Sequence, residues 1–245
     1  MTQHCLILGA KSDIARALAH TYAQNGFHLY LAGRRAEAEL GADLKDLKIR
    51  HGVDGQVVEF DALAYETHEA FYAQLDPKPE VVICVLGYMP EQKDSEQDTS
   101  LARKVMATNY IGCANILSIA ANDMEARKSG SIIGISSVAG ERGRASNYFY
   151  GSAKAGFTAF LSGLRNRMAF HGLHVMTVKP GFVYTKMTEG LPLPAALTAQ
   201  PEQVATAVFK GWKKKKNVLY TKWMWRWIMA IIRSVPEWKF KKMKL

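Results

Sequence analysis

Long apolar runs and clustered cysteines are both missing from this sequence. No segment reaches the ~18 uninterrupted apolar residues that a membrane-spanning helix needs. The three cysteines, Cys5, Cys84 and Cys113, lie in apolar surroundings at no metal-ligand spacing. They predict reduced, buried residues of a cytosolic protein with neither a disulfide framework nor a metal site. The N-terminal apolar run is short and ends at Lys11, which predicts a strand and not a signal peptide.

Acidic residues are nearly absent from the last 36 positions, and tryptophan is absent from everything before them. Residues 1–209 hold 20 Lys and Arg against 21 Asp and Glu, whereas residues 210–245 hold 12 against the single Glu237. All five tryptophans lie in the same terminal segment. A neutral body with a basic excess at one end is not the pattern of a nucleic-acid-binding domain, so we expect no nucleic-acid partner.

Seven short apolar segments recur along the chain, with helical segments between them. They are CLIL (5–8), HLYLA (28–32), QVVEF (56–60), VVICVL (81–86), SIIGIS (131–136), HVMTV (174–178) and NVLY (217–220). Near-continuous apolar strands are typical of a parallel sheet covered on both faces. The alternation therefore predicts an α/β, doubly wound (Rossmann) fold of about seven strands, with ligands beyond the carboxyl ends of the strands.

Two turns at predicted strand ends carry groups suited to a dinucleotide. The turn LGAKSDIA after the first strand keeps only Gly9 of the glycines expected in a phosphate-binding turn, and Ser12 or Asp13 could equally be a helix cap. After the second strand, Arg34 and Arg35 stand where an NAD-binding protein usually has a carboxylate. Guanidinium groups suit a 2′-phosphate, which favours NADP(H), although both arginines could also be solvated residues at a helix start.

The most specific pattern follows the fifth strand. On a helix that begins near Asn147, Tyr150 and Lys154 are four residues apart, so their side chains project from one face. Ser137 lies upstream at a strand end, and Asn109 lies in the preceding predicted helix.

With these residues the chain resembles the short-chain dehydrogenase/reductase family over residues 4 to about 221. Asn109, Ser137, Tyr150 and Lys154 match its catalytic tetrad, and PGFVYT (180–185) matches its nicotinamide- and pyrophosphate-binding segment. The resemblance implies a cofactor-binding set of Gly9, Ser12, Asp13, Ile14, Arg34, Arg35, Asp61, Ala62, Gly87, Tyr150, Lys154, Pro180, Gly181, Val183 and Thr185. Two departures are the missing glycines of the first turn and Cys84-Val85-Leu86-Gly87 in place of Asn-Asn-Ala-Gly.

The implied chemistry is reduction of a ketone by hydride transfer. This reaction leaves negative charge on oxygen, which needs a proton donor within hydrogen-bond reach. A neighbouring ammonium favours the phenolate, so Lys154 would make Tyr150 a stronger acid and, as in the family, bind the nicotinamide ribose. Ser137 would hold the substrate oxygen, and Asn109 would order a water that returns protons. The competing hypothesis is a catalytically silent protein that senses a dinucleotide or acts as a scaffold.

The loop 185–200 would cover the active site. Its apolar residues Met187, Leu191, Leu193 and Leu197 favour a hydrophobic or lipid-like substrate, unless they only pack the loop against the body. Arg142, Arg144 and Lys186 are predicted near the mouth, where one hypothesis is that one of them meets an anionic group such as phosphate and the alternative is that they are solvated loop charges. The form of the first turn and the basic, aromatic terminus resemble reductases of polyprenyl-phosphate keto-sugars. Reduction of a 3-ketoacyl thioester or another hydrophobic ketone is the alternative.

The terminal segment 222–245 is predicted to be a tail added to a catalytic domain of residues 1–221. On a helix, Lys222, Arg226 and Arg233 would form one narrow stripe, with mainly apolar and aromatic residues elsewhere. Tryptophan favours the headgroup region and lysine attracts anionic lipid, which predicts an in-plane anchor on an anionic membrane surface. The same face could instead pack against a second subunit, because the family usually forms homodimers or homotetramers. We expect a cytoplasmic protein, peripheral at the inner face of the membrane.

Overall fold

A parallel sheet forms the centre of the protein, whose residues 3–243 are described by a computed structural model. The strands are β1 (His4–Leu8), β2 (His28–Gly33), β3 (Gly55–Glu59), β4 (Val81–Cys84), β5 (Ser131–Ile135), β6 (His174–Pro180), β7 (Phe182–Val183), β8 (Thr198–Ala199) and β9 (Val218–Thr221). Seven of them form the sheet in the order β3-β2-β1-β4-β5-β6-β9, with every pair parallel, and β7 pairs with β8 separately. The predicted α/β doubly wound fold with seven strands is confirmed.

Helices cover both faces of the sheet. They are α1 (Asp13–Gln24), α2 (Ala36–His51), α3 (His68–Ala73), α4 (Gln92–Gln97), α5 (Thr99–Met106), α6 (Gly112–Arg127), α7 (Tyr148–Ala169), α8 (Pro201–Lys213), α9 (Met224–Ser234) and α10 (Glu237–Phe240). Among residues 3–243 no helix is both long enough and apolar enough to cross a bilayer.

The alternation of side chains along β1 divides the core into two layers. Cys5 and Ile7 point into one layer with residues of α1, α2 and α8, whereas Leu6 and Leu8 point into the other with residues of α6 and α7. Both faces of the strand are therefore buried, which is why its sequence is continuously apolar. All three cysteines are buried as free thiols.

The order of the strands brings the ends of β1 and β4 together. Chain connections leave β1 towards β2 and β3 on one side, and β4 towards β5 and β6 on the other. A crevice forms where the connections diverge, and in open α/β sheets it is the usual ligand site. Here it lies between the turn that begins at Gly9 and the loop that follows Cys84.

The C-terminal segment packs against the body of the protein. Trp225 and Met229 of α9 are buried in a small core with Val138, which follows β5. The predicted amphipathic helix is present, but the predicted stripe of basic residues is wrong for Lys222. This residue precedes α9 with φ 56°, and its amine donates to the carbonyls of Ala195 and Ala196 at 3.2 and 2.8 Å. The division into domains 1–221 and 222–245 stays a prediction.

Candidate active site

The helix α7 carries the predicted proton donor and its cationic neighbour on one face. Asn147 is its N-cap position, as the sequence predicted, so Tyr150 lies in the first turn and Lys154 one turn later. The Lys154 Nζ is 5.8 Å from the centre of the Tyr150 ring. Both side chains line a cavity of about 370 Å³. The pair therefore shares one site, as the spacing predicted.

The Lys154 ammonium is held by backbone carbonyls at the carboxyl edge of the sheet. The side chain is 2% exposed, and Nζ donates to the carbonyl oxygens of Leu86 at 3.0 Å and Ile135 at 3.2 Å. No carboxylate within residues 3–243 lies at ion-pair distance from it. A buried cation without a counter-ion acts strongly on its neighbours, because the interior screens charge less than water.

Ser137 stands where the backbone leaves β5. Its Oγ accepts a hydrogen bond from the Ala139 N–H at 3.1 Å and lines the same cavity as Tyr150. The preceding Ser136 ties β5 to α7, because its hydroxyl lies 3.0 Å from the Lys154 carbonyl and 2.7 Å from the Thr158 hydroxyl. This link fixes the distance between the strand end and the helix that carries the other two groups.

Asn109 lies in a π-helical turn, 107–111, and its side chain braces the loop after β4. It is fully buried, and its amide group donates to the carbonyls of Tyr88 at 2.7 Å and Val105 at 2.8 Å. Its Oδ1 accepts from the Tyr88 N–H at 3.2 Å. Both amide hydrogens are thus committed to the backbone, so the predicted contact with a water would have to use the remaining acceptor capacity of Oδ1.

The first turn approaches the loop after β4 closely enough to require Gly9. Its φ is 81°, and a Cβ there would lie 3.2 Å from backbone atoms of Val85 and Leu86. Ser12 is the cap of α1 and accepts from the Ala15 N–H at 3.2 Å. The free N–H groups of this first helical turn suit a pyrophosphate. The turn therefore needs a glycine at position 9, and it forms with other residues at the two further positions where glycines were expected.

A second cavity, of about 220 Å³, continues the first across this turn. The two share Lys11, Ser12, Val85, Leu86 and Gly87 in their linings. Together they form one elongated cleft with the N-terminal end of α1 at its middle. A cleft of this shape could hold an extended molecule such as a dinucleotide.

The smaller cavity contains one of the two predicted arginines. Arg34 lines the smaller cavity, whereas the Arg35 guanidinium pairs with Glu39 and is largely exposed. The N–H of Arg35 donates to Glu59 at 2.8 Å, which holds the start of α2 against the end of β3. Asp61 also lines this cavity, and its Oδ1 accepts from the Leu63 N–H at 3.0 Å.

Nearly all predicted site residues line this cleft. The larger cavity contains Ser12, Asp13, Ile14, Gly87, Ser137, Tyr150, Lys154, Pro180, Gly181, Val183 and Thr185. The smaller cavity contains Gly9, Ser12, Arg34, Asp61, Ala62 and Gly87. Asn109 and Arg35 are outside both linings.

Other lining residues were missed by the sequence analysis. Lys11 lies in both cavities, and its position inside the first turn was a usable signal. Phe182 lines the larger cavity and packs edge-on against Trp225, with ring centres 5.2 Å apart. The Trp225 indole in turn donates to the Leu197 carbonyl at 3.0 Å. No local pattern links Trp225 to a site that precedes it by more than 40 residues.

The apolar residues of the loop 185–200 divide between two tasks. Met187 and Leu191 line the larger cavity, as predicted for a cover over the active site. Leu197 instead packs in the small core with Trp225, and Leu193 lies outside the active-site cavity, in a separate surface depression. Two of the four residues are therefore available to a substrate.

The three basic residues predicted near the mouth also differ in their surroundings. Arg142 donates to the carbonyls of Ile232, Arg233 and Val235 at the end of α9, and pairs with Glu237 at 2.8 Å. Arg142 thus caps the C-terminal end of α9 and is not part of the cavity lining. Arg144 and Lys186 do line the cavity. Burial lowers the pKa of the Arg144 guanidinium.

Comparison with known proteins gives one consistent family. A model of the short chain dehydrogenase family matches residues 3–194. An uncharacterized oxidoreductase of Mycobacterium tuberculosis is 32% identical over 97% of this chain and 96% of its own, and one of Streptomyces coelicolor is 31% identical over 97% and 94%. A solved short-chain dehydrogenase from Sphingobium yanoikuyae in complex with NADPH has a TM-score of 0.82 at 19% identity, covering 96% of this chain and 97% of that protein.

Proposed function

The chain belongs to the short-chain dehydrogenase family, and from this premise we propose that it is an NADPH-dependent reductase of a hydrophobic carbonyl compound. The observation that carries the proposal is that Ser137, Tyr150 and Lys154 line a single cavity with apolar walls. Met89, Phe182, Met187 and Leu191 supply much of that apolar lining. Such walls favour binding of a substrate whose carbonyl carries bulky apolar groups.

The cofactor assignment is supported by the elongated cleft and by the charge at its adenosine end. Gly9, Ser12, Ile14 and Thr185 would hold the pyrophosphate, and Arg34 would meet a 2′-phosphate. The structural relative named above is described in complex with NADPH. When bound, the nicotinamide supplies the hydride that reduces the carbonyl carbon.

The residues of this chain would supply the proton and hold the oxygen. The Ser137 hydroxyl donates a hydrogen bond to the substrate carbonyl oxygen and keeps it near the Tyr150 hydroxyl. As negative charge develops on that oxygen, Tyr150 transfers its proton to it, and the Lys154 ammonium stabilises the resulting phenolate. Asn109 positions this site by bracing Tyr88, next to the loop whose Leu86 carbonyl accepts from Lys154.

Replacement of Tyr150 by Phe tests the reductase activity. With a panel of hydrophobic ketones and a 3-ketoacyl thioester, we expect wild-type oxidation of NADPH and a loss of about 10²- to 10⁴-fold in kcat for Tyr150→Phe. Tyr148→Phe is the matched control, because Tyr148 begins the same helix and is 41% exposed. Turnover that survives in Tyr150→Phe would contradict the mechanism. Absence of turnover with NADPH in the wild type across the panel would favour the catalytically silent alternative.

We also propose that α9 and α10 bind an anionic membrane surface, which would bring a lipid-linked substrate such as a polyprenyl-phosphate keto-sugar to the site. The outer side of this segment exposes Trp223, Trp227, Ile231 and Trp238, each more than 60% accessible. The guanidinium carbon of Arg226 lies 5.9 Å from the centre of the Trp227 ring. Lys239 and Trp227 line the same shallow groove. Exposed tryptophans interleaved with basic groups suit the headgroup region of anionic lipids.

Surface variants test this proposal better than truncation, because removal of the segment would also remove the buried Trp225 and Met229. We expect the wild type to co-sediment with phosphatidylglycerol vesicles and the double variant Trp227→Ala, Trp238→Ala to lose binding. Phe170→Ala is the control, since Phe170 is 83% exposed elsewhere. The alternative outcome is that the wild type does not bind vesicles and forms a dimer or tetramer, whereas the double variant is a monomer. In that case the surface is a subunit interface and the membrane proposal fails.

A further inference from the structure

Arg144 places a cation in the lining of the active-site cavity. The residue lies between Ser137 and Tyr150, is half-buried and lines the cavity that both of them line. Its Nε is buried without a hydrogen-bond partner, and no carboxylate of residues 3–243 forms an ion pair with its guanidinium. Burial without a partner costs free energy for any charged group.

The neighbouring Arg142 makes this exception informative. Two residues earlier in the same loop, Arg142 donates to three backbone carbonyls, pairs with Glu237 and stacks on Phe240, with the guanidinium carbon 3.8 Å from the ring centre. An arginine of this loop can therefore have hydrogen-bond acceptors and a carboxylate partner within the protein. Among residues 3–243 Arg144 has no comparable set of contacts, so its guanidinium is available to a molecule that enters the cavity.

The surroundings of Arg144 restrict what that molecule can be. The substrate side of the cavity is walled by Met89, Phe182, Met187 and Leu191. Lys186 also lines this cavity, but its side chain is exposed and its charge is solvated. An apolar chamber with one partly desolvated guanidinium is complementary to an apolar molecule that carries one oxyanion, because the planar fork binds carboxylate and phosphate oxygens in pairs.

We propose that Arg144 binds an oxyanion of the carbonyl substrate, a carboxylate or a phosphate, and so makes the enzyme selective for anionic ketones. This inference rests on the proposed reductase function, because it uses the same cavity. Arg144 and the residues around the reacting carbonyl line one cavity of about 370 Å³, so one substrate molecule can carry both the anion and the carbonyl. Arg144 would act on binding, since it takes no part in the proposed proton transfer from Tyr150, and its removal would raise KM more than it lowers kcat.

Three matched probes test the proposal: para-acetylbenzoate, para-acetylphenyl phosphate and the neutral methyl para-acetylbenzoate. In Arg144→Gln we expect kcat/KM to fall about 10- to 100-fold for the anionic probes and less than about twofold for the ester. Arg144→Lys keeps the charge without the fork and should retain part of the preference. Lys186→Gln is the control for a solvated cation at the mouth and should change the preference by less than about twofold. The stronger effect with carboxylate or with phosphate identifies the natural anion.

A binding measurement separates this inference from the proposed activity. We expect calorimetric titration with NADP⁺ present, which has no hydride to transfer to a ketone, to give tighter binding of an anionic probe than of the ester in the wild type, and equal binding in Arg144→Gln. Arg144→Gln without probe should have an unchanged or higher Tm, because an unpaired buried charge is removed, whereas a structural arginine would lower it. If the wild type shows no anion preference, or the variant weakens all probes equally, the inference is wrong. Anion preference without any turnover would leave it standing and reject the reductase function.

Discussion

The indole of Trp225 lies directly against the backbone of Gly181, where a Cβ atom would overlap its ring. Gly181 belongs to the predicted cofactor-binding segment, whereas Trp225 is in the C-terminal helix α9. The same indole contacts the Phe182 ring and donates to the Leu197 carbonyl. One residue of the tail therefore supports both the segment 180–185 and the loop that covers the cavity.

Loss of the Trp225 side chain should destabilise the protein and its active site together. We expect Trp225→Ala to lower the free energy of unfolding by about 3–5 kcal/mol, because it leaves a cavity beneath Gly181. Urea denaturation measures this change, and kcat/KM should fall as well, because the loop 185–200 loses its support. Trp223→Ala, at the exposed residue that directly precedes the same helix, should change stability by less than about 0.5 kcal/mol. Equal effects of the two changes would contradict the packing described for α9.

The preference for NADPH should depend on Arg34 more than on Arg35. Arg34 lines the smaller cavity, while the Arg35 guanidinium already pairs with Glu39. We expect Arg34→Ser to raise KM for NADPH about tenfold or more, as for a lost charge-assisted contact, and to leave KM for NADH nearly unchanged. Initial rates with both cofactors, for Arg34→Ser and for Arg35→Ser, measure this. A larger effect at Arg35 would mean that it leaves Glu39 to bind the phosphate.

The Arg142 side chain should stabilise the end of α9 through its fork of donors. We expect Arg142→Lys to lower the free energy of unfolding by about 1–3 kcal/mol, since one ammonium cannot satisfy the carbonyls of Ile232, Arg233 and Val235 at once. Chemical denaturation measures the loss. Glu237→Gln is the control, because Glu237 is 76% exposed and its ion pair should contribute less than about 1 kcal/mol. A loss in Glu237→Gln as large as that in Arg142→Lys would place the stabilisation in the ion pair.

Protonation of His174 should weaken the fold in mildly acidic solution. Burial lowers the pKa of this imidazole, whose Nε2 lies 2.9 Å from the Lys216 carbonyl. Below about pH 6.5 the unfolded chain then binds more protons at this position than the folded chain, so the free energy of unfolding decreases as pH falls. We expect denaturation midpoints of the wild type to decline more steeply between about pH 7 and 5 than those of His174→Gln. Parallel profiles for the two proteins would contradict this assignment.

Periodicity and spacing were sufficient for the sheet and for the catalytic helix. A strand buried on both faces must be apolar throughout, so inner strands such as β1 and β4 were readable locally. Tyr150 and Lys154 are separated by one helical turn, and helix geometry alone puts them on one face. The same locality explains why residues directly after strands, such as Gly9, Arg34 and Ser137, were predicted at the carboxyl edge.

Tertiary contacts decided what those patterns left open. The sequence offered two adjacent arginines for a 2′-phosphate and three basic residues for an anion, and position after a strand or in a loop ranks neither set. In the fold Arg35 pairs with Glu39 and Arg142 binds the end of α9, whereas Arg34, Arg144 and Lys186 line the cleft. The Arg35–Glu39 pair joins residues four apart and was open to a local rule, but the sequence distance between Arg142 and Val235 hides their contact.

The sequence by itself determined the class of fold and the acid–cation pair, because both follow from spacings within single elements. Only the tertiary structure decided that the aromatic tail has an inner side, at Trp225, that supports the active site, and an outer side, at Trp227, that faces solvent. The sequence of a helix with apolar residues on almost every side does not reveal which side the rest of the protein covers. That division arises when α9 packs against β9 and the loop after Ser137.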